Sequence, residues 1–240
     1  MKRLDLTPLT PAENLAADEV LLDRCEAGHG DETLVFWEPR ETFVVAGYAN
    51  KIACEVNTVA CEAKGIPIFR RCSGGGTVVQ MPGGLNYSLI LRITESGPTR
   101  NITTANQFIM EKNRRAITTT LPQSTISVRG HTDLCLGEKK IAGNSQRRRK
   151  DFLLFHGTLL LNCDLTLISD LLTMPSLQPD YRAHRPHGEF VTNLNLPAEK
   201  VKAVLAKEWN ANEESRNPPL DEVSQLAREK YMVREWNYKF

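Results

Sequence analysis

Two arginines, a serine and three glycines stand in one short run, Arg70-Arg71-Cys72-Ser73-Gly74-Gly75-Gly76-Thr77. Five of the fifteen glycines fall between positions 74 and 84, counting Gly83 and Gly84. Consecutive glycines cost backbone entropy, about 0.5–1 kcal/mol each relative to alanine in a regular element. In return they let backbone N–H groups approach a ligand closely, in conformations closed to other residues. Arginines at the mouth of such a loop supply a fixed charge whose fork matches phosphate or carboxylate. A flexible hairpin with two surface arginines is the plain alternative. The run is not a P-loop, because no Gly-Lys-Ser/Thr follows. Nor does it open a helix as a dinucleotide fingerprint does, because Thr77-Val78-Val79 continues as strand. It reads as an anion-cradling loop between two strands.

A second group of chemical residues begins at Lys140. If 140–146 is extended, Lys140, Ala142, Asn144 and Gln146 face one way and Ile141, Gly143, Ser145 and Arg147 the other. That stripe suits the floor of a site or a solvated edge; on a floor, an anionic ligand would hold Lys140 charged. Arg147-Arg148-Arg149-Lys150 with Asp151 stands at a turn, either solvated or open to an acidic partner. His156-Gly157-Thr158 interrupts an apolar run. Its histidine is either a satisfied core group or, across the hairpin from Lys140, a wall of the same pocket.

These residues need a sheet to carry them. Thr10-Pro11-Ala12-Glu13 predicts a helix start with a capping box, and Leu15, Glu19 and Leu22 share a face of that helix. Glu19 reads as a rim residue with a charged partner or as part of a polar site. Segments 33–38 and 42–48 flank Pro39-Arg40 and predict paired strands. A helix at 56–64 should stop at Gly65, followed by strands at 66–71, 77–80 and 85–93 and a long helix at 102–118. Segments 127–136, 140–146 and 152–162 predict a meander, backed by a helix at 165–172. The stretch 173–193 reads as a loop, 197–209 and 220–232 as closing helices, and 210–219 as a short linker. The order is neither strictly βαβ nor all-β, so the expected class is α+β, a mixed sheet with helices packed on one side.

Composition narrows the function. Thirty Lys+Arg against twenty-nine Asp+Glu leave a net charge of +1, too little to gather nucleic acid or anionic lipid. With 41% hydrophobic and 25% charged residues the chain is an ordinary globular protein. No apolar run approaches the roughly 20 residues of a membrane span, and the first residues lack a secretory stretch. The six cysteines show no metal spacing and read as reduced, mostly buried groups. The expected location is cytoplasmic.

The motifs 70–79, 84–88 (Gly-Leu-Asn-Tyr-Ser), 140–147 (Lys-Ile-Ala-Gly-Asn-Ser-Gln-Arg) and 156–160 (His-Gly-Thr-Leu-Leu) resemble those of the lipoate–protein ligase A family, within the biotin/lipoate ligase superfamily. They stand in the family's order and spacing. Segments 14–19, 44–50 and 231–236 are similar to its outer elements, so the resemblance covers nearly the whole chain. It implies one α+β catalytic domain over 1–240, its helices of about 197–240 packed on it and no accessory domain. It also implies ATP and Mg²⁺, a lipoyl-AMP intermediate, and transfer of the lipoyl group to a lysine of an acceptor. The acceptor would be a glycine-cleavage H protein, a dehydrogenase E2 domain or a lipoate-binding protein of sulfur oxidation, with a separate accessory subunit as an option. Carried over by motif, Lys140 is the catalytic residue. Arg70, Arg71, Ser73, Gly74, Gly75, Gly76, Thr77, Gly143, Asn144, Gly157 and Thr158 line the substrate site. Asn86 falls near the phosphate and metal, His156 on the pocket wall, and Arg185 and Asn193 in the segment over the adenylate. An ATP-independent octanoyltransferase with a cysteine nucleophile and a non-catalytic lipoyl binder are the rivals. A biotin ligase would need a G-R-G-R-x-G loop that this chain does not have.

Overall fold

A computed structural model describes residues 1–6, 9–215 and 217–240. Its strands are β1 (Lys2–Asp5), β2 (Thr33–Trp37), β3 (Phe43–Ala46), β4 (Ile68–Arg70), β5 (Val78–Gln80), β6 (Gly84–Arg92), β7 (Ile126–Arg129), β8 (Asp133–Leu136), β9 (Lys139–Arg148), β10 (Phe152–Leu160) and β11 (Glu213–Glu214). The helices are α1 (Pro11–Glu26), α2 (Ile52–Glu55), α3 (Thr58–Ala63), α4 (Ile102–Thr118), α5 (Thr166–Leu171), α6 (His187–Phe190), α7 (Ala198–Glu208), α8 (Leu220–Leu226) and α9 (Arg234–Asn237). Residue 216 of the expected linker lies outside the described residues.

Eight strands form one mixed sheet in the order β11-β1-β2-β6-β10-β9-β8-β7, and β4-β3-β5 form a second, smaller one. Strand β6 shows why the large sheet must be covered twice. Its Leu85, Tyr87, Leu89 and Leu91 pack with α4 and α7, whereas Ile90 on the opposite face packs with Leu22 and Cys25 of α1. Eight of its nine residues are buried. Helices therefore lie on both faces, not on one as the element order suggested. The small sheet joins α1 and α8 around Val35, Trp37, Phe43 and Val45. On its other flank, Val44, Ala46 and Val79 pack with α5 and Phe190 of α6. No helix of the described residues is long and apolar enough to cross a membrane.

Helix α1 starts where its residues require. Thr10 Oγ1 accepts from the Glu13 N–H and the Glu13 carboxylate returns to the Thr10 N–H at 3.0 Å. The 102–118 helix has its expected bounds. Strands 33–38 and 42–48 are not partners: β2 lies between β1 and β6, and β3 between β4 and β5. Every residue of both strands is buried. Without alternation, each is an interior strand needing two neighbours, and a short link between two strands does not say which. The expected 127–136 strand is a hairpin, β7 and β8, turned at Gly130 with φ +56°. The expected 56–64 helix is the shorter α3, preceded by the separate helix α2 at 52–55, and the 173–193 loop contains α6.

Arg70 closes this framework. It is fully buried, and its Nε donates to Asn237 O at 3.1 Å while Nη1 donates to Gly47 O and Asn50 O at 2.7 and 2.8 Å. Its backbone N–H donates to Asn237 Oδ1, and Trp236 Nε1 donates to its carbonyl. One guanidinium thus ties β4 to the 47–50 turn and to α9. A lysine donates from a single nitrogen and cannot serve both the Asn237 carbonyl and the 47–50 turn as Nε and Nη1 do. Arg70→Lys is expected to cost about 2 kcal/mol, lowering the thermal midpoint by about 4–8 °C. Calorimetry of the variant checks this, and an unchanged midpoint contradicts it.

Candidate active site

Three neighbouring strands lay the floor of the site. Across β6, β10 and β9, Ser88, His156 and Ser145 are directly opposed, as are Asn86, Thr158 and Gly143. Residues two apart share a face, so these six form two adjacent rows, turned toward the small sheet. Gln80 of β5 closes one end: its Nε2 donates to Asn86 Oδ1 at 2.9 Å and to Thr158 Oγ1 at 2.8 Å, and Asn86 Nδ2 donates back at 2.8 Å. Both polar ends of the Asn86 amide are engaged and Asn86 is buried. The Asn86 side chain is thus committed to Gln80 and Thr158 in this structure. Among the described residues no group of three His, Cys, Asp or Glu is placed to hold a metal.

The glycine loop between β4 and β5 lies over the Ser88–His156–Ser145 row. Arg71 is wrapped inside it: Nε donates to Ser73 Oγ at 3.0 Å, and Nη2 to Gly74 O and Gly76 O at 2.5 and 2.8 Å. Ser145 Oγ adds a bond to Gly74 O at 2.9 Å. The carbonyls are thereby turned inward. No protein acceptor among the described residues takes the N–H of Gly74, Gly75 or Gly76. A Cβ at Gly74 or Gly76 would meet nothing within 4 Å, and Thr77 Oγ1 is buried without a partner. The loop thus presents donors and open space, as an anion cradle requires. Burial pulls the Arg71 guanidinium down to about 10, so it stays charged at neutral pH. Gly47 is also required here, because a Cβ on it would stand 2.1 Å from Gly75 O.

Lys140 reaches this face through an irregularity. Cys135 opposes Lys140 and Leu134 opposes Ala142, so Ile141 is an extra residue, a β-bulge. The bulge reverses the expected side. Lys140 Nζ lies over Gly143, where a Cβ would approach it to 2.8 Å, and pairs with Asp133 Oδ1 at 2.8 Å. Asn144 and Gln146 face the other way, toward α4. Asn144 Nδ2 donates to Thr132 O at 2.6 Å and its Oδ1 accepts from Tyr87; Gln146 Nε2 donates to Asn106 Oδ1 at 2.5 Å. Gly157 also lies on that side, where Asn144 Oδ1 fills the space a Cβ would need. The stripe of Lys140 with Asn144 and Gln146 is therefore corrected to Lys140 with Gly143 and Ser145.

His156 is held from both ends, by Asp18 Oδ2 at Nδ1 and Ser73 Oγ at Nε2, each at 2.6 Å. Asp18 was not singled out in the sequence; its signal was a second carboxylate on α1 beside Glu19. Glu19 is buried and accepts from Lys230 and Tyr231 at 2.6 and 2.8 Å, which hold its carboxyl below the usual range despite burial. The structure brings Arg71, Ser73, Gly74–Gly76, Thr77, Asn86, Lys140, Gly143, His156 and Thr158 to one cleft face. It does not bring Arg70, Asn144, Gly157 or Asn193. Asn193 instead pairs with both backbone groups of Cys163, at 3.0 and 2.9 Å. Arg185 donates to Glu138 O and Tyr181 O, and Tyr181 donates to Asp133 Oδ2 at 2.7 Å, which joins the 173–193 segment to the Lys140 ion pair. The basic run at 147–150 is solvated only in its second half: Arg147 donates to Cys72 O and Arg148 to Thr99 O, while Arg149, which pairs with Asp23, Lys150 and Asp151 are exposed.

Comparison with known proteins gives the following. The family model for the lipoyl protein ligase A/B catalytic domain matches residues 10–210. Lipoate-protein ligase A subunit 1 of Thermoplasma acidophilum is 27% identical, over 96% of this chain and 93% of its own. Octanoyltransferase LipM of Geobacillus kaustophilus is 28% identical, over 95% and 94%. The bi-partite lipoate protein ligase of Thermoplasma acidophilum, studied with its E2 lipoyl domain, superposes with a TM-score of 0.79 at 24% identity, covering 99% of this chain and 96% of its own. A lipoate-protein ligase A bound with ATP gives 0.80 at 23%, covering 99% and 98%. At these identities the structures show the fold.

The thiols bear on which chemistry the cleft can run. All six cysteines are free, and of these Cys54 is exposed and five are buried. Burial pushes the Cys72 thiol up to about 12, reinforced by the nearby Glu19 and Asp18, and the Cys25 and Cys163 thiols up to about 11. A raised thiol pKa means less thiolate, and thiolate is the reactive form. An Ellman titration of the native protein at pH 8 is therefore expected to find one fast thiol, with all six reacting in denaturant. A second fast thiol traced to Cys72 contradicts this geometry.

Proposed function

The chain belongs to the lipoyl protein ligase A/B catalytic-domain family, and on that basis we propose that it is an ATP-dependent lipoate–protein ligase acting as one catalytic domain over 1–240. The observation that carries this reading is the glycine loop, whose carbonyls are taken by Arg71 while its N–H groups stay open, with Ser145 beneath it on the same face of β9 as Gly143 and Lys140. Such an edge suits a phosphate. The ATP-bound relative of the same fold supports the nucleotide.

A carboxylate is a poor acylating agent because its oxygen leaves badly. In the first step the lipoate carboxylate attacks the α-phosphate of MgATP, the bond to the β-phosphate breaks, and pyrophosphate leaves. Charge grows on the non-bridging oxygens, where fixed N–H groups and the Lys140 ammonium stabilise it without reorganising. Mg²⁺ enters with ATP as substrate. In the second step an acceptor lysine amine attacks the lipoyl carbonyl, Lys140 stabilises the oxyanion, and AMP leaves. For Lys140 to act it must exchange Asp133 for the ligand, and Tyr181 keeps that carboxylate in place meanwhile.

The acceptor is a lipoyl-domain protein in this reading, as the Thermoplasma ligase is paired with an E2 lipoyl domain. The bi-partite description of that relative also supports a separate accessory subunit. Six unpaired cysteines accord with a reducing, cytoplasmic setting. The octanoyltransferase relatives favour a second reading, thioester transfer without ATP. It requires a reactive thiol, and the buried cysteines argue against one.

Lipoate, ATP and Mg²⁺ incubated with the protein are expected to yield lipoyl-AMP and pyrophosphate, read by mass spectrometry. Lys140→Ala is expected to fold and to lose about 10²–10³-fold in that rate. Octanoyl transfer from a carrier thioester without ATP, with no adenylate formed, would overturn the ligase reading.

A further inference from the structure

A chain of buried side chains runs from α1 through the sheet to the glycine loop. Asp18 is 5% exposed; its Oδ1 accepts from Ser88 Oγ at 2.6 Å and its Oδ2 lies 2.6 Å from His156 Nδ1. Nε2 of the same ring lies 2.6 Å from Ser73 Oγ, which also accepts from Arg71 Nε at 3.0 Å. The direction of each bond follows from what each group can give. A carboxylate offers only lone pairs, so Nδ1 is the donor toward Asp18. A guanidinium has only donors, so Arg71 gives to one lone pair of Ser73, and toward a neutral imidazole with its proton on Nδ1 the hydroxyl donates to Nε2. A neutral imidazole that donates from Nδ1 to Asp18 presents Nε2 as its acceptor, and an imidazolium formed there would face a buried carboxylate. The arrangement has the roles of a hydroxyl, base and orienting-acid triad, recognised by geometry and not by sequence position.

We infer that Ser73 and His156 are the proton exit of the acyl-transfer step, with Asp18 the positioning residue that keeps His156 able to accept. The inference rests on the ligase reading for its substrate, an acyl-adenylate. A lysine side chain near pH 7.4 is an amine in only about one copy in a thousand, and the attacking amine must shed a further proton as it becomes an amide. As the C–N bond forms, that N–H proton passes to Ser73 Oγ while the serine's own proton passes to His156 Nε2. The tetrahedral centre then collapses, the carbonyl carbon–oxygen bond to the phosphate breaks, and its electron pair leaves on AMP. His156 returns the proton to solvent in the next cycle. Formation of the acyl-adenylate needs no such acceptor, because the attacking carboxylate carries no proton. The two half-reactions should therefore depend differently on this chain. The charged groups nearest the histidine are Asp18 and Glu19 from α1, Arg71 from the loop and Arg147 from β9. Of these, Glu19 is paired with Lys230, and Arg71 and Arg147 are held by backbone carbonyls.

Preformed lipoyl-AMP mixed with the protein and an E2 lipoyl domain, in single turnover, isolates the transfer step, while pyrophosphate release reports the first. His156→Gln and Asp18→Asn are expected to slow transfer about 10²–10⁴-fold, a larger loss than the one they cause in pyrophosphate release. Ser73→Ala, which leaves the His156–Asp18 pair in place, covers the case in which those variants fail to fold, and should also lose transfer more than adenylation. Equal losses in both half-reactions overturn the relay and assign these bonds to holding α1 on the sheet. No transfer from lipoyl-AMP by the wild type overturns the ligase reading instead.

Discussion

A guanidinium withdrawn from water must find acceptors, because an unpaired buried charge is far more costly than any loop strain. Arg71 finds its acceptors in the loop that follows it, on Ser73, Gly74 and Gly76. That one requirement shapes the cleft. Carbonyls drawn onto the guanidinium leave the other edge of each peptide facing out, so the positive charge acts on a ligand through oriented dipoles. Gly75, at φ +80°, permits the reversal, and Gly47 lets the 47–50 turn press against it. The loop is then fastened to the floor by Ser145 on β9 and by His156 on β10.

The floor itself depends on register. Strands β6, β10 and β9 pair without interruption through the site, so a side chain's row is set by its partner and its face by parity. One extra residue at Ile141 breaks parity at the end of β9 and sends Lys140 to the face of the cleft. Its core neighbours gain from the same bulge, since Ile141 and Ala142 both enter the cluster beneath α4. Behind the floor, Trp209 and Tyr87 share Asn113, and Tyr87 also reaches Asn144. This buried network ties α7, α4, β6 and β9 into a rigid backing.

Membership of the lipoyl protein ligase A/B family fits a cleft of this build, and so does a division of labour within it. In the proposed reaction, charge stabilisation falls to the loop edge and Lys140, and proton handling to the line from Ser73 to Asp18. The cysteines contribute packing: five are buried, and Cys72 lies within the cluster of Leu22, Ile90 and Leu154. Segment 173–193 reaches the lysine through Asp133, whose carboxylate Tyr181 and Lys140 share.

The sequence by itself determined what is local. The capping box of α1, the bounds of α4, the glycine loop between two strands and the motif order that marks the family all depend on neighbouring residues, and all could be read directly. What the tertiary structure alone decided is long-range. Which strands flank β2 and β3, that helices cover both faces, and that Arg70 clasps α9 instead of a ligand depend on partners far along the chain. The side of Lys140 also lay beyond strict alternation, because a bulge adds a residue without any mark in composition. Asp18 shows the same limit. Its place on α1 is fixed by helical period, but a carboxylate becomes part of a site only when the fold brings His156, 138 positions away, to within 2.6 Å.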